Sequence, residues 1–198
     1  MLANNARVYR LVGGVIGSIM YMGLAAVGLA QAAPVTFYFA GTTDPPSLSS
    51  TFHPSTPITG SYTFESTTPD VYPSVNPSLG NYALSNLSVN FLGNAYTMAA
   101  HTRPNQISIE NNGTFDSYRV LLIPGSPERA LTGPPIDGLD PLSFQINIFG
   151  NMFTSDALPL TPPSLGSIPG SNRGTFAIPF STSSALGVAP GVLTSLTL

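Results

Sequence analysis

Apolar and polar residues alternate with a period of two in short runs along the chain beyond residue 32, and no window of helix length carries an apolar stripe at i, i+3, i+4 and i+7. Alternation of this kind places one set of side chains in a core and the other in water, the pattern of a half-buried β-strand. The run Ile58 to Glu65 sends Ile58, Gly60, Tyr62 and Phe64 one way and Thr59, Ser61, Thr63 and Glu65 the other. Val35 to Ala40 does the same with Val35, Phe37 and Phe39 inward, and Leu142 to Phe149 with Leu142, Phe144, Ile146 and Ile148 inward. Leu87, Val89 and Phe91 lead into Gly93-Asn94, which predicts a tight hairpin turn with Tyr96 and Met98 on the returning strand. A second hairpin joins Gln106–Glu110 to Phe115–Ile123 around Asn111-Asn112-Gly113, setting Ile107 and Ile109 near Tyr118, Val120 and Leu122. Thr175 to Ser181 and Val192 to Leu198 complete nine strands. Pro179 has no N–H for a ladder, so its strand is expected at an edge or with a bulge.

Nine strands without helices between them predict one all-β domain, an antiparallel β-sandwich or jelly roll over 33–198. The segments 42–57, 66–79, 125–141 and 155–172, rich in Pro, Ser, Thr or Gly, are expected to be long loops that either carry recognition or wrap the sheet ends.

Composition narrows the function. Only 8% of the 198 residues are charged while 42% are hydrophobic, and Gly and Pro number 19 and 20. That excludes a disordered charged tail and a helical bundle. There is no lysine, and beyond residue 32 four dispersed arginines (103, 119, 129, 173) face nine acidic residues, a net charge of −5. Nucleic acid and anionic membranes need clustered cations, so neither is expected as a partner. The absence of cysteine removes disulfides, thiolate metal sites and thiol nucleophiles.

Residues 1–32 have the form of a secretory signal helix. Arg7 and Arg10 precede an uncharged, largely apolar stretch from Leu11 to Leu29, and Ala30-Gln31-Ala32 supplies the small residues that signal peptidase requires. Cleavage is expected between Ala32 and Ala33. A retained membrane anchor is the alternative, because the stretch approaches bilayer-spanning length; five glycines within it and the alanine box favour removal.

The stretch Ile58-Thr59-Gly60-Ser61-Tyr62-Thr63-Phe64, then Thr68-Pro69-Asp70 and Gly80-Asn81-Tyr82-Ala83-Leu84-Ser85-Asn86-Leu87-Ser88-Val89, resembles the ectodomains of bacterial PEP-CTERM sorting proteins. Ser155-Asp156-Ala157-Leu158-Pro159 and the closing Leu193 to Leu198 are similar to that group too. The resemblance implies a β-rich protein exported by a Gram-negative bacterium, secreted or held at the cell surface, in a class linked to exopolysaccharide and biofilm. The Pro-Glu-Pro motif, apolar helix and basic end of that class do not follow Leu198, so an exosortase partner is not inferred.

Candidate chemistry is sparse. No G-x-S-x-G elbow occurs, and Gly170-Ser171-Asn172-Arg173-Gly174 has its serine misplaced. His53 and His101 lack companions at metal-ligand spacing and are expected to be solvated loop residues. Asp137-Gly138-Leu139-Asp140 is the densest carboxylate cluster, and Asp137 with Asp140 is the candidate calcium site, weighed against turn-forming aspartates in a solvated loop that also holds Glu128 and Arg129. Tyr38, Tyr72, Tyr82 and Tyr96 are candidates for a sugar-stacking platform, with core or hairpin packing as the favoured alternative. The sequence-level expectation is a non-catalytic surface or matrix component without cofactor, with extracellular polysaccharide as the candidate partner; a carbohydrate-binding module or a secreted hydrolase is the alternative.

Overall fold

The computed structural model describes residues 31–44, 53–73, 76, 78–100, 105–113, 115–124, 129–166, 174–181 and 186–198. Apart from Gln31 and Ala32, the expected signal sequence lies outside them.

Among the described residues twelve strands form, and every ladder between them is antiparallel. They are β1 (Pro34–Thr43), β2 (Pro57–Glu65), β3 (Leu79–Ala83), β4 (Asn86–Phe91), β5 (Asn94–Met98), β6 (Gln106–Glu110), β7 (Asp116–Leu121), β8 (Leu131–Thr132), β9 (Asp140–Pro141), β10 (Gln145–Gly150), β11 (Thr175–Ser181) and β12 (Leu186–Thr197). Eleven follow the order β3-β6-β7-β10-β11-β12-β1-β2-β4-β5-β8 in one curled sheet, and β9 pairs with β11 off that path. The curl brings the β8 end back towards β11: Ala99 N–H donates to Ala130 O, Ala130 N–H to Leu142 O and Leu142 N–H to Pro179 O, each at 2.9 Å.

Alternation decides what lies inside the curl. Phe37, Phe39, Ile58, Tyr62, Phe64, Leu87, Val89 and Tyr96 come from one run of strands, and Ile107, Ile109, Tyr118, Val120, Phe144, Ile146, Phe176 and Phe180 from the other; all are buried in one cluster. Rings join the two sets. Phe39 stacks on Phe144 at 5.3 Å, and Tyr96 meets the edge of Phe180 at 6.0 Å. Burying each such side chain contributes roughly 1.5–3 kcal/mol. Gly60 faces inward in β2 because a Cβ there would strike the Phe39 ring and the Ser88 carbonyl.

Several local expectations are corrected. The β4–β5 turn is Leu92-Gly93, not Gly93-Asn94: Phe91 pairs with Asn94, and Leu92 and Gly93 hold φ of 52° and 74°, the two positive angles a two-residue hairpin needs. The strand expected from Leu142 begins three residues later at Gln145, with Ser143 buried and Leu142 only half-buried. Pro179 explains that shift. Its strand β11 is interior, flanked by β12 and by β9 and β10, and not at an edge. Residues of an antiparallel strand aim N–H and C=O at the same neighbour, and Pro179 O accepts from Leu142, so the missing N–H falls where β9 and β10 separate. The expected loop 66–79 ends in the first residue of β3, and 125–141 contains β8 and β9. β8 and β9 have only two residues each, and Leu79-Gly80-Asn81-Tyr82-Ala83 in β3 does not alternate apolar with polar residues.

Candidate functional site

Asp137 and Asp140 are placed in one tight turn. Ile136 and Leu139 exchange two backbone hydrogen bonds of 2.9 Å, and Asp137 and Gly138 between them hold φ of 51° and 76°. A two-residue hairpin turn of that type demands positive φ twice, which aspartate and glycine tolerate. Asp140 then leaves in β9 and accepts a hydrogen bond from Arg129 Nη2 at 2.7 Å, an exposed ion pair. The hydrogen bond from Arg129, more than its charge, lowers the Asp140 pKa, and the same bond raises that of Arg129. Among the described residues no group of three or more His, Asp or Glu is arranged to hold a metal ion.

Two other acidic side chains, Asp70 and Asp116, are tied to structure. Asp70 Oδ1 accepts from Tyr72 N–H at 2.9 Å and Asn81 N–H at 3.0 Å, closing the 70–72 segment onto β3. Asp116 is fully buried at the start of β7, and its Oδ2 accepts from Met152 N–H at 2.6 Å and Phe153 N–H at 2.8 Å. Charge-assisted bonds to backbone amides are short and strong, so Asp116 fixes the chain leaving β10. Tyr82 holds a later point of that segment by donating to Asp156 O at 2.8 Å.

The tyrosine candidates divide. Tyr82 and Tyr96 are core residues, as the favoured reading of core packing expects, while Tyr38 and Tyr72 are exposed. Tyr62 and Tyr118 cross the core to share a hydrogen bond of 2.9 Å between hydroxyls. Burial pushes both well above the ordinary tyrosine pKa; the neighbouring Tyr118 adds to the rise at Tyr62. His53 lies in a turn where its carbonyl accepts the hydroxyls of Thr43 at 2.6 Å and Thr56 at 2.8 Å. His101, Glu128 and Ser171 lie outside the described residues. Ala33, on the downstream side of the expected cleavage point, opens the fold: its N–H donates to Ser66 Oγ at 3.1 Å and its carbonyl accepts Ser66 N–H at 2.9 Å. Ala32 is exposed and Ala30 is outside the described residues.

Two outward surfaces remain. On one, Thr197, Tyr38, Ser61, Ser88, Thr97 and Thr132 lie in register across β12, β1, β2, β4, β5 and β8. Four of their hydroxyls pair, Ser61 with Ser88 at 3.3 Å and Thr97 with Thr132 at 3.2 Å. None of these residues is charged.

On the other, Asn81, Ser108, Arg119, Asn147 and Thr175 lie in register across β3, β6, β7, β10 and β11, with Asn81 and Ser108 buried and Arg119, Asn147 and Thr175 partly exposed. Arg119 sits over the Phe149 ring, its guanidinium carbon 5.8 Å from the centroid, and Phe115 stacks on Phe149 at 5.6 Å and 17°. Phe115 is 43% exposed. Glu110 Oε2 stands 4.0 Å from Arg119 Nη2 and also accepts from Ser117 Oγ at 3.3 Å. The buried Arg119 Nε makes no hydrogen bond among the described residues. Sequence reasoning missed this site, although a signal existed: with Tyr118, Val120 and Ile148 inward, alternation puts Phe115, Arg119 and Phe149 on the wet side. Comparison of the chain with protein-family models, with curated proteins and with solved structures returns no match in any of the three.

Proposed function

We propose that this protein is a non-catalytic, exported component of the cell surface or extracellular matrix of a Gram-negative bacterium, associated with exopolysaccharide. The observation that carries this reading is how its acidic groups are used: Asp140 is held by Arg129, while Asp116 and Asp70 each accept two backbone N–H groups. A glycosidase needs two carboxylates facing one another across a cleft, and these three are committed elsewhere. Asp116 and Asp70 hold neighbouring chain segments against the sheet, and Asp140 is paired in an exposed turn. The leader-like residues 1–32 support export.

The finer architecture that goes with this reading is an antiparallel sandwich, or jelly roll, in which strands β12, β1, β2, β4 and β5 cover strands β6, β7, β10 and β11. The Phe39–Phe144 stack and the Tyr62–Tyr118 hydrogen bond support it, since both join the two groups through the core. A carbohydrate-binding module is the second reading, favoured by the exposed Phe115 ring beside Arg119.

Protein recovered from outside the cytoplasm is expected to begin at Ala33 by mass spectrometry. Incubated with exopolysaccharide of its source bacterium, it should leave the polymer's chain length unchanged. Shortening of the polymer, or recovery of the uncleaved chain in the cytoplasm alone, contradicts the proposal.

A further inference from the structure

The β6–β7–β10 surface combines three chemistries that a hydroxyl-rich ring bearing a carboxylate would use together. Phe115 offers an exposed ring face, and its stack on Phe149 fixes its orientation. An aromatic face supplies apolar area without polar demand, which suits the C–H face of a pyranose. Arg119 lies on β7, four residues after Phe115, above Phe149, with its side chain 41% exposed. A guanidinium is a fork matched to a carboxylate, and this one is poorly used: its acidic neighbour stands at 4.0 Å and is bonded to Ser117. Asn147 faces Arg119 across the β7–β10 ladder and adds an amide that both donates and accepts.

We propose that this face binds an acidic polysaccharide, with the carboxylate of a uronic acid residue on Arg119 and the sugar ring on Phe115. The inference rests on the exopolysaccharide-associated reading above and adds to it the ligand class and the place. At this one face Arg119 favours that class over a neutral glycan, against the net charge of −5 that the chain carries beyond residue 32. The hydroxyl ladder around Tyr38 holds no charged residue and four of its hydroxyls are paired, whereas the Arg119 surface holds a half-exposed cation whose one acidic neighbour, Glu110 Oε2 at 4.0 Å, also accepts from Ser117. Glu110 has a defined role in this arrangement: it lowers the local positive potential without neutralising Arg119, so it weakens binding of an anionic polymer.

The test is affinity electrophoresis of the full protein through gels containing polygalacturonate or the neutral polymer dextran, at low and high salt. Polygalacturonate should retard the parent protein, high salt should weaken the retardation, and dextran should not retard it. Arg119→Met and Phe115→Ala should each lose about tenfold in affinity, the scale of one charge-assisted or aromatic contact. Glu110→Gln should gain severalfold, a direction that a misfolded variant would not produce. Tyr38→Ala, on the opposite surface, should bind as the parent does. No retardation by polygalacturonate, equal retardation by dextran, or unchanged binding by Arg119→Met with its melting temperature intact overturns the inference alone. Shortening of the polymer in the same gel overturns the non-catalytic reading beneath it.

Discussion

The two outward surfaces of this sheet cover interiors of the same kind and differ in everything else. Beneath Tyr38 and its hydroxyl ladder lie Phe37, Tyr62 and Leu87; beneath Arg119 lie Ile109, Tyr118 and Ile148. Both sets belong to the same buried cluster. Outside, one surface closes its polar groups upon themselves through Ser61–Ser88 and Thr97–Thr132, and the other leaves a guanidinium half-exposed over an aromatic pair. The inward face of a strand therefore reports how the chain folds, and the outward face reports what it can meet. A domain with so few charges makes the contrast legible, because each charged group must have a local reason for its place.

Changes to the shared interior should have the largest effects and should not distinguish the two surfaces. Phe37 packs edge-on against Tyr62 at 5.6 Å and Phe64 at 5.3 Å, so Phe37→Ala should cost about 3–5 kcal/mol in urea unfolding. A loss near zero would mean that the cluster relaxes around the missing ring. Asp116→Ala comes next, at about 2–4 kcal/mol, because two backbone N–H groups lose a charged acceptor. Hydrogen exchange should localise that loss to residues 151–156, below the Arg119 surface and away from Tyr38.

The Tyr62–Tyr118 bond joins the two halves, and its effect should be smaller and pH-dependent. Tyr62→Phe leaves the Tyr118 hydroxyl buried without its partner and should cost about 1–2 kcal/mol near neutral pH. Burial raises both tyrosine pKa values above 10.0, so the folded state holds its protons where the unfolded chain releases them. That contribution is complete below the unfolded pKa and is lost as pH rises above it towards the folded values. The parent should therefore lose stability above about pH 10, the ordinary tyrosine value, and the Tyr62→Phe, Tyr118→Phe double variant should lose less. Parallel curves for the two proteins would deny the linkage.

The smallest effect is expected at Arg129 and Asp140. The Arg129 bond lowers the Asp140 pKa, but both groups face water, so Asp140→Asn should leave the melting temperature within error. Calcium added to the parent should not raise it either, since Asp140 already has its cation. A calcium-dependent rise that disappears in an Asp137→Ala, Asp140→Ala double variant would restore this turn as a metal site.

Most of the strands were legible because alternation survives wherever a strand has three or more inward residues, as in Ile58 to Glu65. Strands β8 and β9, two residues each, carry no period at all. The turn at Leu92-Gly93 was misplaced by one residue because asparagine commonly accepts positive φ and leucine does not; pairing of Phe91 with Asn94 overrode that preference. Pro179 misled for a related reason. Proline marks a missing ladder bond but not which neighbour lacks it, and here the loss falls in a gap within an interior pairing. The Arg119 surface was half legible: alternation identifies its outward residues, whereas the pairing that sets Phe149 beside Arg119 spans some thirty residues of chain and has no local signature.

The central claim is that the two outward surfaces are functionally unequal, and titration of the isotopically labelled protein with oligogalacturonate, followed by amide chemical shifts, tests it most directly. The account predicts shifts that grow with concentration at Ser108, Glu110, Arg119 and Asn147, with Ser61, Ser88 and Thr97 unmoved. Shifts centred on the Tyr38 surface, or none on either surface, would contradict it.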